Sequence, residues 1–321
     1  MGPEPDVDRN KAMRATPRLA WPAVPAPVRS SIEHALGSTV RSAVSQEHGF
    51  SPGLAARCTL DDARRVFIKA VSEDINVDSA RLARHEIRVN AHLEHVDVAP
   101  RLLHAGDDGT WVVAVFEDVD GRQPSLPWTD GDLDLVLAVV DDAPGAAAGT
   151  PAELPTVADL LGDDFSGWRK LCAAAAPAPG PMPVPTDALA ELEATWVDHM
   201  VPEQLIHADL RDDNLLIEAD GGVRIVDWAN AALGPAWFDV VCMVPSIAAN
   251  SEWTPAQIWS RSACADSVDR DALAAAVAAL SGYFTEASQR PTIPQIPGLR
   301  QFQAAQAVPA RAWLTELLRA D

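Results

Sequence analysis

The residues from Ile206 to Ile217 read IHADLRDDNLLI and set charged and polar side chains between two apolar segments. The polar members are His207, Asp209, Arg211, Asp212, Asp213 and Asn214. Asp and Asn favour turns, because their side chains hydrogen-bond to nearby backbone groups. Turn formation alone does not explain so many charges between two core-like segments. Carboxylate and amide oxygens held in one fixed loop are the ligands that a hard cation prefers.

The segment after this loop predicts a β-hairpin. Residues 215–228, LLIEADGGVRIVDW, hold two runs rich in Leu, Ile and Val around an Asp-Gly-Gly turn. If the turn is centred just after Asp220, antiparallel pairing sets Asn214 opposite Asp227. Asp209 lies in the loop immediately before the hairpin. The pattern therefore predicts that two carboxylates and an amide meet at the open end of the hairpin.

This predicted grouping has an electrostatic consequence. Two carboxylates about 4 Å apart repel each other by roughly 4 kcal/mol at an effective dielectric constant of 20. A divalent cation relieves that repulsion, and Mg²⁺ is usually held by a few protein oxygens together with phosphates. The alternative interpretation is a hairpin capped by turn-forming Asp and Asn residues that perform no chemistry.

A second polar pair is predicted upstream. The helix predicted over 78–95 carries an apolar stripe, and Glu86 lies within that stripe between Leu82 and Val89. A buried carboxylate needs a partner. Lys69, on a predicted strand just before the helix, is the obvious candidate, and the pairing would fix the ammonium for contact with a phosphate. The alternative is an internal salt bridge without a chemical role.

Composition limits the class of protein. The chain has 321 residues, 48% of them hydrophobic, which favours two lobes or domains. A net charge of −21 argues against nucleic acid or an anionic membrane as partner, and is compatible with a cationic substrate or simply with a soluble surface. The four scattered cysteines and the lack of a long apolar run or leader predict a cytoplasmic protein with reduced thiols.

The order of predicted elements suggests two unequal lobes. Residues 1–25 contain several prolines and little periodicity, so we expect a flexible N-terminal extension. Short β-like runs, the helix over 78–95 and a strand over 111–119 predict a small α+β lobe, residues 26–118. Residues 119–321 are predicted to form a larger, mostly helical lobe. Within it the sequence predicts a Pro-rich linker and three helices, at 176–185, 187–200, 271–287 and 299–319.

Taken together, the motifs resemble those of the aminoglycoside phosphotransferase family, which shares the two-lobed α+β fold of protein kinases. HADLRDDN (207–214) followed by VDW (226–228) is similar to the catalytic and metal-binding motifs of that family, with Ala208 where a Gly is often found. Lys69 and Glu86 match its lysine–glutamate pair. GPAWFDVV (234–241) resembles the helix that follows, and its Asp239 stands where an acidic residue braces the catalytic loop. The resemblance covers roughly residues 40 to 320.

The resemblance implies roles for individual residues. Asp209 matches the base that orients the substrate hydroxyl or accepts its proton, and Asn214 and Asp227 match the Mg²⁺ ligands. Lys69, held by Glu86, matches the contact to the α- and β-phosphates of ATP. His207 is expected to support the loop. GTP remains an alternative to ATP, and both a monomer and a homodimer are compatible with the sequence.

The resemblance also implies where the nucleotide binds. FEDVDG (116–121) is similar to the hinge between the lobes, where the carbonyl of Glu117 and the amide of Val119 would contact the adenine. GFSPG (49–53), with Phe50 and Ser51, would cover the phosphates, although it lacks the glycine-rich pattern of protein kinases.

The acceptor is predicted to be the hydroxyl group of a small molecule. Only eleven residues separate Asp227 from Asp239, too few for the segment with which protein kinases recognise a polypeptide. Relatives often have an acidic residue directly after the Asp-Trp pair, but this chain has Ala229 and Asn230, which weakens the case for a polycationic antibiotic. Aminoglycoside-like antibiotics, amino sugars, and choline-like or sugar-like metabolites remain open. Two further hypotheses are a catalytically silent nucleotide-binding or regulatory module on the same fold and a metal site formed by His85, His92 and His95 on one face of the 78–95 helix.

Overall fold

A five-stranded antiparallel sheet forms the first part of the fold in the computed structural model, which describes residues 18–46, 49–94, 96–142, 153–175, 180 and 182–319. Neighbouring strands pair in the order β1-β2-β3-β5-β4. The strands are β1 Val40–Ser45, β2 Leu54–Leu60, β3 Arg65–Ser72, β4 Leu102–Asp107 and β5 Trp111–Glu117.

The two faces of β3 have different environments, because successive side chains of a strand point to opposite faces. Val66, Ile68 and Ala70 are buried in a hydrophobic core on one face. Phe67 and Lys69 point to the other face, which lines a cleft. The alternation in RVFIKAVS therefore fixes Lys69 on the cleft side of the sheet.

Two helices flank this sheet. Helix α1, Ala26–Leu36, supplies Ile32 and Leu36 to the core on the far face of the sheet. Helix α2, Val77–Asn90, packs on the cleft side and begins after Asn76, whose side chain accepts a hydrogen bond from the N–H of Ser79. It ends earlier than the residue 95 that periodicity predicted.

The expected flexible extension falls partly outside the described residues, which begin at Arg18. Within the described part, Trp21 is 7% and Val24 is 1% exposed, and both belong to the core beneath the sheet. A 3₁₀ turn at Trp21–Ala23 leads from here into α1. Residues from Trp21 onward are thus packed against the first lobe.

The rest of the chain is mostly helical and carries two small sheets. Its helices are α3 Asp130–Asp141, α4 Val157–Leu161, α5 Gly167–Ala173, α6 Thr186–Ala194, α7 Trp237–Ala248, α8 Pro255–Trp259, α9 Arg270–Ala287 and α10 Leu299–Arg319. Its strands are β6 Gly121–Arg122, β7 Gln204–Ile206, β8 Leu215–Glu218, β9 Val223–Ile225 and β10 Ala232–Gly234. The small sheets have the strand orders β6-β8-β9 and β10-β7.

The core of this helical part is built on aromatic side chains. Trp168, Trp196, Phe238 and Trp313 are almost completely buried. Helix α9 is buried on most of its surface, because small alanines let its neighbours approach closely. Among the described residues, no helix is long and apolar enough to cross a membrane. The predicted α+β arrangement, a small β-rich lobe followed by a larger, mostly helical lobe, is present. The Pro-rich linker predicted over 176–185 lies largely outside the described residues.

The hairpin of β8 and β9 forms as predicted, but its register differs by one residue. Leu215 pairs with Ile225. Asn214 consequently faces Val226, whose N–H donates to the Asn214 carbonyl at 2.9 Å. The predicted pairing of Asn214 with Asp227 is therefore wrong, because Asp227 lies one residue beyond the paired position.

The length of the hairpin loop explains this shift. The N–H of Glu218 donates to the carbonyl of Gly222 at 2.8 Å, which leaves three loop residues instead of two. Gly221 adopts a φ of 90°, which glycine reaches at little cost. A glycine at this position of a three-residue loop is a common solution for a hairpin.

Candidate active site

One cleft, with a volume of about 290 Å³, lies against the cleft face of the large sheet. All the residues that the sequence predicted for catalysis, nucleotide contact and metal binding line it: Phe50, Ser51, Lys69, Glu86, Glu117, Val119, Asp209, Asn214 and Asp227. They come from segments far apart in the chain, and the fold brings them together.

Lys69 is the centre of an ion-pair network that joins both parts of the fold. Its Nζ lies 2.7 Å and 2.9 Å from the two carboxylate oxygens of Glu86. It also lies 2.5 Å from Oδ1 of Asp227, which follows the hairpin. Burial opposes the charged lysine, but the carboxylates of Asp227 and Glu86 outweigh it and raise the pKa of Lys69. The predicted lysine–glutamate contact is present, and Asp227 extends it.

Glu86 is only 3% exposed and depends on its partners. Burial raises its pKa, while the ammonium of Lys69 and the backbone N–H of Trp228 act in the opposite direction. Asn90, one turn later on α2, donates its Nδ2 to the Glu86 carbonyl at 2.8 Å. Helix α2 thus holds a carboxylate at the junction of the sheet and the segment after the hairpin.

Asp227 adopts a left-handed backbone conformation, with φ 68°. A non-glycine residue rarely takes this conformation, except Asn and Asp. The carboxylate of Asp227 is only partly buried; its partial burial acts to raise the pKa, but the nearby Lys69 holds the pKa of Asp227 well below its usual value. The carboxylate is therefore charged at neutral pH.

The loop that carries Asp209 is fixed by Asp239 of α7. The backbone N–H groups of His207 and Ala208 donate to the two carboxylate oxygens of Asp239 at 2.8 Å and 2.7 Å. Ala208 has a φ of 58°, in the region where a glycine costs least. This is the position at which the related motif often has Gly.

His207 is completely buried and performs a structural task. Its Nε2 lies 3.0 Å from the Val226 carbonyl, and its ring meets the edge of the Trp228 ring at a centroid distance of 5.0 Å. Burial lowers its pKa, which favours the neutral imidazole. It joins the loop before the hairpin to the strand end that precedes Asp227.

Both oxygens of Asp209 are oriented by neighbouring side chains. Nη1 of Arg211 forms a short contact with Oδ1, and Nδ2 of Asn230 donates to Oδ2 at 3.2 Å. Burial raises the pKa of Asp209 to about 6, although Arg211 opposes this shift. Asn230, noted in the sequence only for the missing acid nearby, contacts the candidate base directly.

Arg211 is the main functional candidate that the sequence reasoning did not single out. Its Nε donates to Asp213 at 3.0 Å, and its guanidinium lies 5.7 Å from the ring centroid of Phe50 and 5.4 Å from that of Phe302. The two rings are 5.0 Å apart. The sequence offered a clue to Arg211, because it is the one arginine among the acidic residues of the 206–217 segment. The sequence offered no such clue to Phe302, which lies on the last helix.

This aromatic pair around Arg211 gives a testable consequence. Phe302→Leu removes one ring contact, worth about 1 kcal/mol, and should lower kcat about fivefold because Arg211 no longer holds Asp209 as firmly. Steady-state kinetics would show this. Phe284→Leu, at another buried phenylalanine that lies against Tyr283, is the matched control. Equal kinetics for the two variants would contradict a role for the ring in orienting Arg211.

The oxygens of Asn214 and Asp227 suit a magnesium ion. Nδ2 of Asn214 donates to the backbone carbonyl of Asp209 at 2.9 Å, so its Oδ1 is the atom left to bind a cation. In the described part of the chain, no three His, Cys, Asp or Glu side chains form a complete metal site. Two protein ligands fit Mg²⁺, because this ion usually completes its shell with phosphate oxygens and water.

The hypothesis of a histidine metal site on the predicted 78–95 helix finds no support in the described part of the chain. Nε2 of His85 lies 2.7 Å from the Ala231 carbonyl, and Nε2 of His92 lies 3.0 Å from Glu153. The third histidine considered, His95, lies outside the described residues.

The hinge predicted at residues 116–121 borders the cleft. The side chain of Glu117 is held by Arg101 at 2.9 Å and by a short contact with Arg224. These ion pairs occupy the carboxylate of Glu117. The adenine contact predicted from the sequence would therefore be made by its backbone carbonyl. Val119 is 7% exposed and also lines the cleft.

The raised pKa of Asp209 predicts a pH dependence. Below about pH 6 the carboxyl is protonated and cannot accept a proton, so kcat/KM should fall about tenfold per pH unit. The Asn230→Asp variant adds a second carboxyl beside Asp209, which should raise the pKa of Asp209 and move the fall in kcat/KM to higher pH. Measuring kcat/KM against pH for the wild type and for Asn230→Asp would show where the rate falls in each protein. A flat wild-type profile to about pH 5, with folding checked by circular dichroism, would contradict Asp209 as the base.

Comparison with known proteins identifies the family. The sequence profile described as "Phosphotransferase enzyme family" (APH) matches residues 54–283, well over half of the chain. No curated protein sequence matches the chain.

Solved structures show the same fold at low sequence identity. The choline kinase LicA from Streptococcus pneumoniae is 13% identical, with a TM-score of 0.58 over 89% of this chain and 98% of that one. An aminoglycoside phosphotransferase from Alicyclobacillus acidocaldarius is 14% identical, with a TM-score of 0.54 over 88% of this chain and 92% of that one.

A thermostable mutant of the aminoglycoside phosphotransferase APH(4)-Ia, solved with AMP-PNP and hygromycin B, is 14% identical. It has a TM-score of 0.58 over 92% of this chain and 100% of that one. These likenesses confirm the predicted two-lobed, kinase-like fold, and the profile match shows the family. The chain belongs to the phosphotransferase enzyme family.

Proposed function

We propose that this protein transfers the γ-phosphate of ATP to a hydroxyl group of a small molecule, with Mg²⁺ and with Asp209 as the base. The observation that carries this proposal is the Lys69 network. One ammonium contacts a carboxylate from the first lobe and Asp227 beside the hairpin, and Asp209 lines the same cleft. Phosphoryl transfer depends mainly on positioning and charge neutralisation, which such a network supplies.

Each group of the chain has a distinct task in this reaction. Lys69, held by Glu86, would bind the α- and β-phosphates, and Asn214 and Asp227 would hold the ion. Bound Mg²⁺ would neutralise charge on the phosphates. Asp209, oriented by Arg211 and Asn230, would accept the hydroxyl proton or align the hydroxyl. The loop with Phe50 and Ser51 would cover the phosphates.

The nucleotide assignment rests on the cleft and on similar proteins. One structural relative was solved with AMP-PNP and another with AMP. Residues 26–118 would supply the nucleotide side of the cleft, and residues 119–321 the catalytic and acceptor side. Each hinge hydrogen bond from Glu117 or Val119 contributes only about 0.5–1.5 kcal/mol net, so these contacts alone do not select ATP over GTP.

The acceptor is proposed to be a small hydroxyl compound with little positive charge near the reacting group. Asn230, a neutral amide, contacts Asp209 on one side, and the cation Arg211 contacts it on the other. A polycationic acceptor would meet less negative charge here than at a site with an additional carboxylate. Amino sugars, sugar-like or choline-like metabolites and weakly cationic antibiotics are the classes to test.

A substrate screen tests the proposal. Purified protein would be given Mg²⁺ and ATP, or GTP, with a panel of aminoglycosides, amino sugars, macrolides and amino alcohols, and ADP or GDP release would be measured. We expect release that depends on an acceptor and stops in EDTA. Nucleotide binding without turnover on any acceptor would favour the catalytically silent module. The joint presence of Lys69, Glu86, Asp209, Asn214 and Asp227 speaks against that alternative.

A further inference from the structure

Arg18 reaches the candidate site from outside the segment that matches the family. That segment begins at residue 54. Arg18 nevertheless lines the same cleft as Lys69, Asp209 and Asp227. Its position follows from the anchor just after it, because Trp21 and Val24 are buried in the core of the first lobe.

The guanidinium of Arg18 lies directly against the 49–51 loop, which lines the cleft. A Cβ on Gly49 would clash with its Nη2, and Gly49 has a φ of 106°, which favours glycine. The Nε atom of Arg18 has almost no contact with solvent. The arginine is therefore packed beneath the 49–51 loop, on the inner side.

The charges around Arg18 are those expected of a phosphate site. Burial lowers its pKa, and the carboxylates of Asp227 and Asp213 counteract that effect. A guanidinium is hard to neutralise and remains charged in this setting. Arg18 is one of four cationic side chains, with Arg57, Lys69 and Arg211, that line a cleft also holding several carboxylates.

We propose that Arg18 binds the nucleotide phosphates, so that the segment before α1 is part of the phosphate site. This inference rests on the proposed function. The planar guanidinium suits paired hydrogen bonds to phosphate oxygens. It would approach the phosphates from below the 49–51 loop, while Lys69 and Mg²⁺ would approach from the sheet and the hairpin. The opposite hypothesis is that Arg18 fills the cleft and competes with the nucleotide.

Binding measurements separate these two hypotheses. Isothermal titration with ADP and Mg²⁺ would compare wild type, Arg18→Met and Arg18→Lys, with Arg41→Met as the matched control on the exposed side of β1. We expect Arg18→Met to weaken ADP binding about tenfold to a hundredfold, because charge-assisted hydrogen bonds are lost. Arg18→Lys should fall between, and Arg41→Met should bind like wild type. Adenosine, which lacks phosphates, should bind equally to all four.

Each other outcome overturns the inference in a recognisable way. If Arg18→Met binds ADP as tightly as the wild type, Arg18 does not bind the phosphates. If it binds ADP more tightly, Arg18 fills the cleft and competes with the nucleotide. An equal loss of ADP and adenosine affinity indicates a structural role alone. If the Met variant does not fold, as judged by circular dichroism, Arg18→Lys is compared with wild type, and unchanged ADP affinity then overturns the inference. Failure of the wild type to bind any nucleotide overturns the proposed function as well.

Discussion

Asp209→Asn should lower kcat by about 10²- to 10⁴-fold, the range that a positioned general base contributes. The amide fills the same space and keeps hydrogen-bonding capacity, but it cannot accept the hydroxyl proton. Nucleotide affinity should change little, since the proposed phosphate contacts come from Lys69, Arg18 and the magnesium ligands. Steady-state kinetics on the acceptor found in the screen, with ADP titrations alongside, would measure both effects.

The control for this variant is the same Asp-to-Asn change in the loop of the hairpin. Asp220 is exposed in the loop, where its carboxylate accepts a hydrogen bond from the N–H of Gly222 at 3.0 Å. Asn preserves that contact, so Asp220→Asn should behave as wild type. Turnover of Asp209→Asn within tenfold of wild type would rule out Asp209 as the base.

Asp227→Asn should abolish Mg²⁺-dependent turnover, with a loss of at least about 10²-fold in kcat, because a bound metal contributes several kcal/mol of charge stabilisation. The carboxylate is the only charged ligand proposed for the ion, and Asn214 alone would hold it weakly. Lys69 keeps its second partner, since Glu86 binds it independently at 2.7 Å. The fold around Lys69 should therefore persist.

Metal dependence distinguishes this effect from a general loss of the site. ADP titrations with Mg²⁺ should show weaker binding to Asp227→Asn than to wild type, whereas titrations in EDTA should show no such loss. Weakening that is equal with and without the metal would indicate that Asp227 acts through Lys69 alone and would contradict its role as a ligand.

The parts of the site that follow from local sequence could be predicted. Lys69 was placed on a predicted strand just before the helix, and the apolar stripe around Glu86 marked that carboxylate as buried and in need of a partner. The hairpin was evident from its composition, but its register was predicted one residue out. A hairpin loop of two residues and one of three residues are both compatible with the sequence Asp-Gly-Gly. Which of the two loops forms depends on the φ that Gly221 adopts.

Contacts between distant segments could not be predicted in the same way. Phe302 lies against Phe50 across most of the length of the chain, and neither neighbourhood signals the other. Residues 1–25 appeared aperiodic in the sequence, yet in their described part Trp21 is buried in the core of the first lobe and Arg18 lines the cleft. Such contacts are set by the packing of the whole fold, which one sequence does not display.

Anomalous diffraction from crystals grown with AMP-PNP and Mn²⁺ tests the central claim most directly. Mn²⁺ prefers the same oxygen ligands as Mg²⁺ and can be located by its anomalous signal. We predict an anomalous peak bound by the Asp227 carboxylate and Oδ1 of Asn214, with Lys69 on the phosphates and Asp209 facing the terminal one. A metal bound elsewhere, or a nucleotide outside this cleft, would contradict the proposed site.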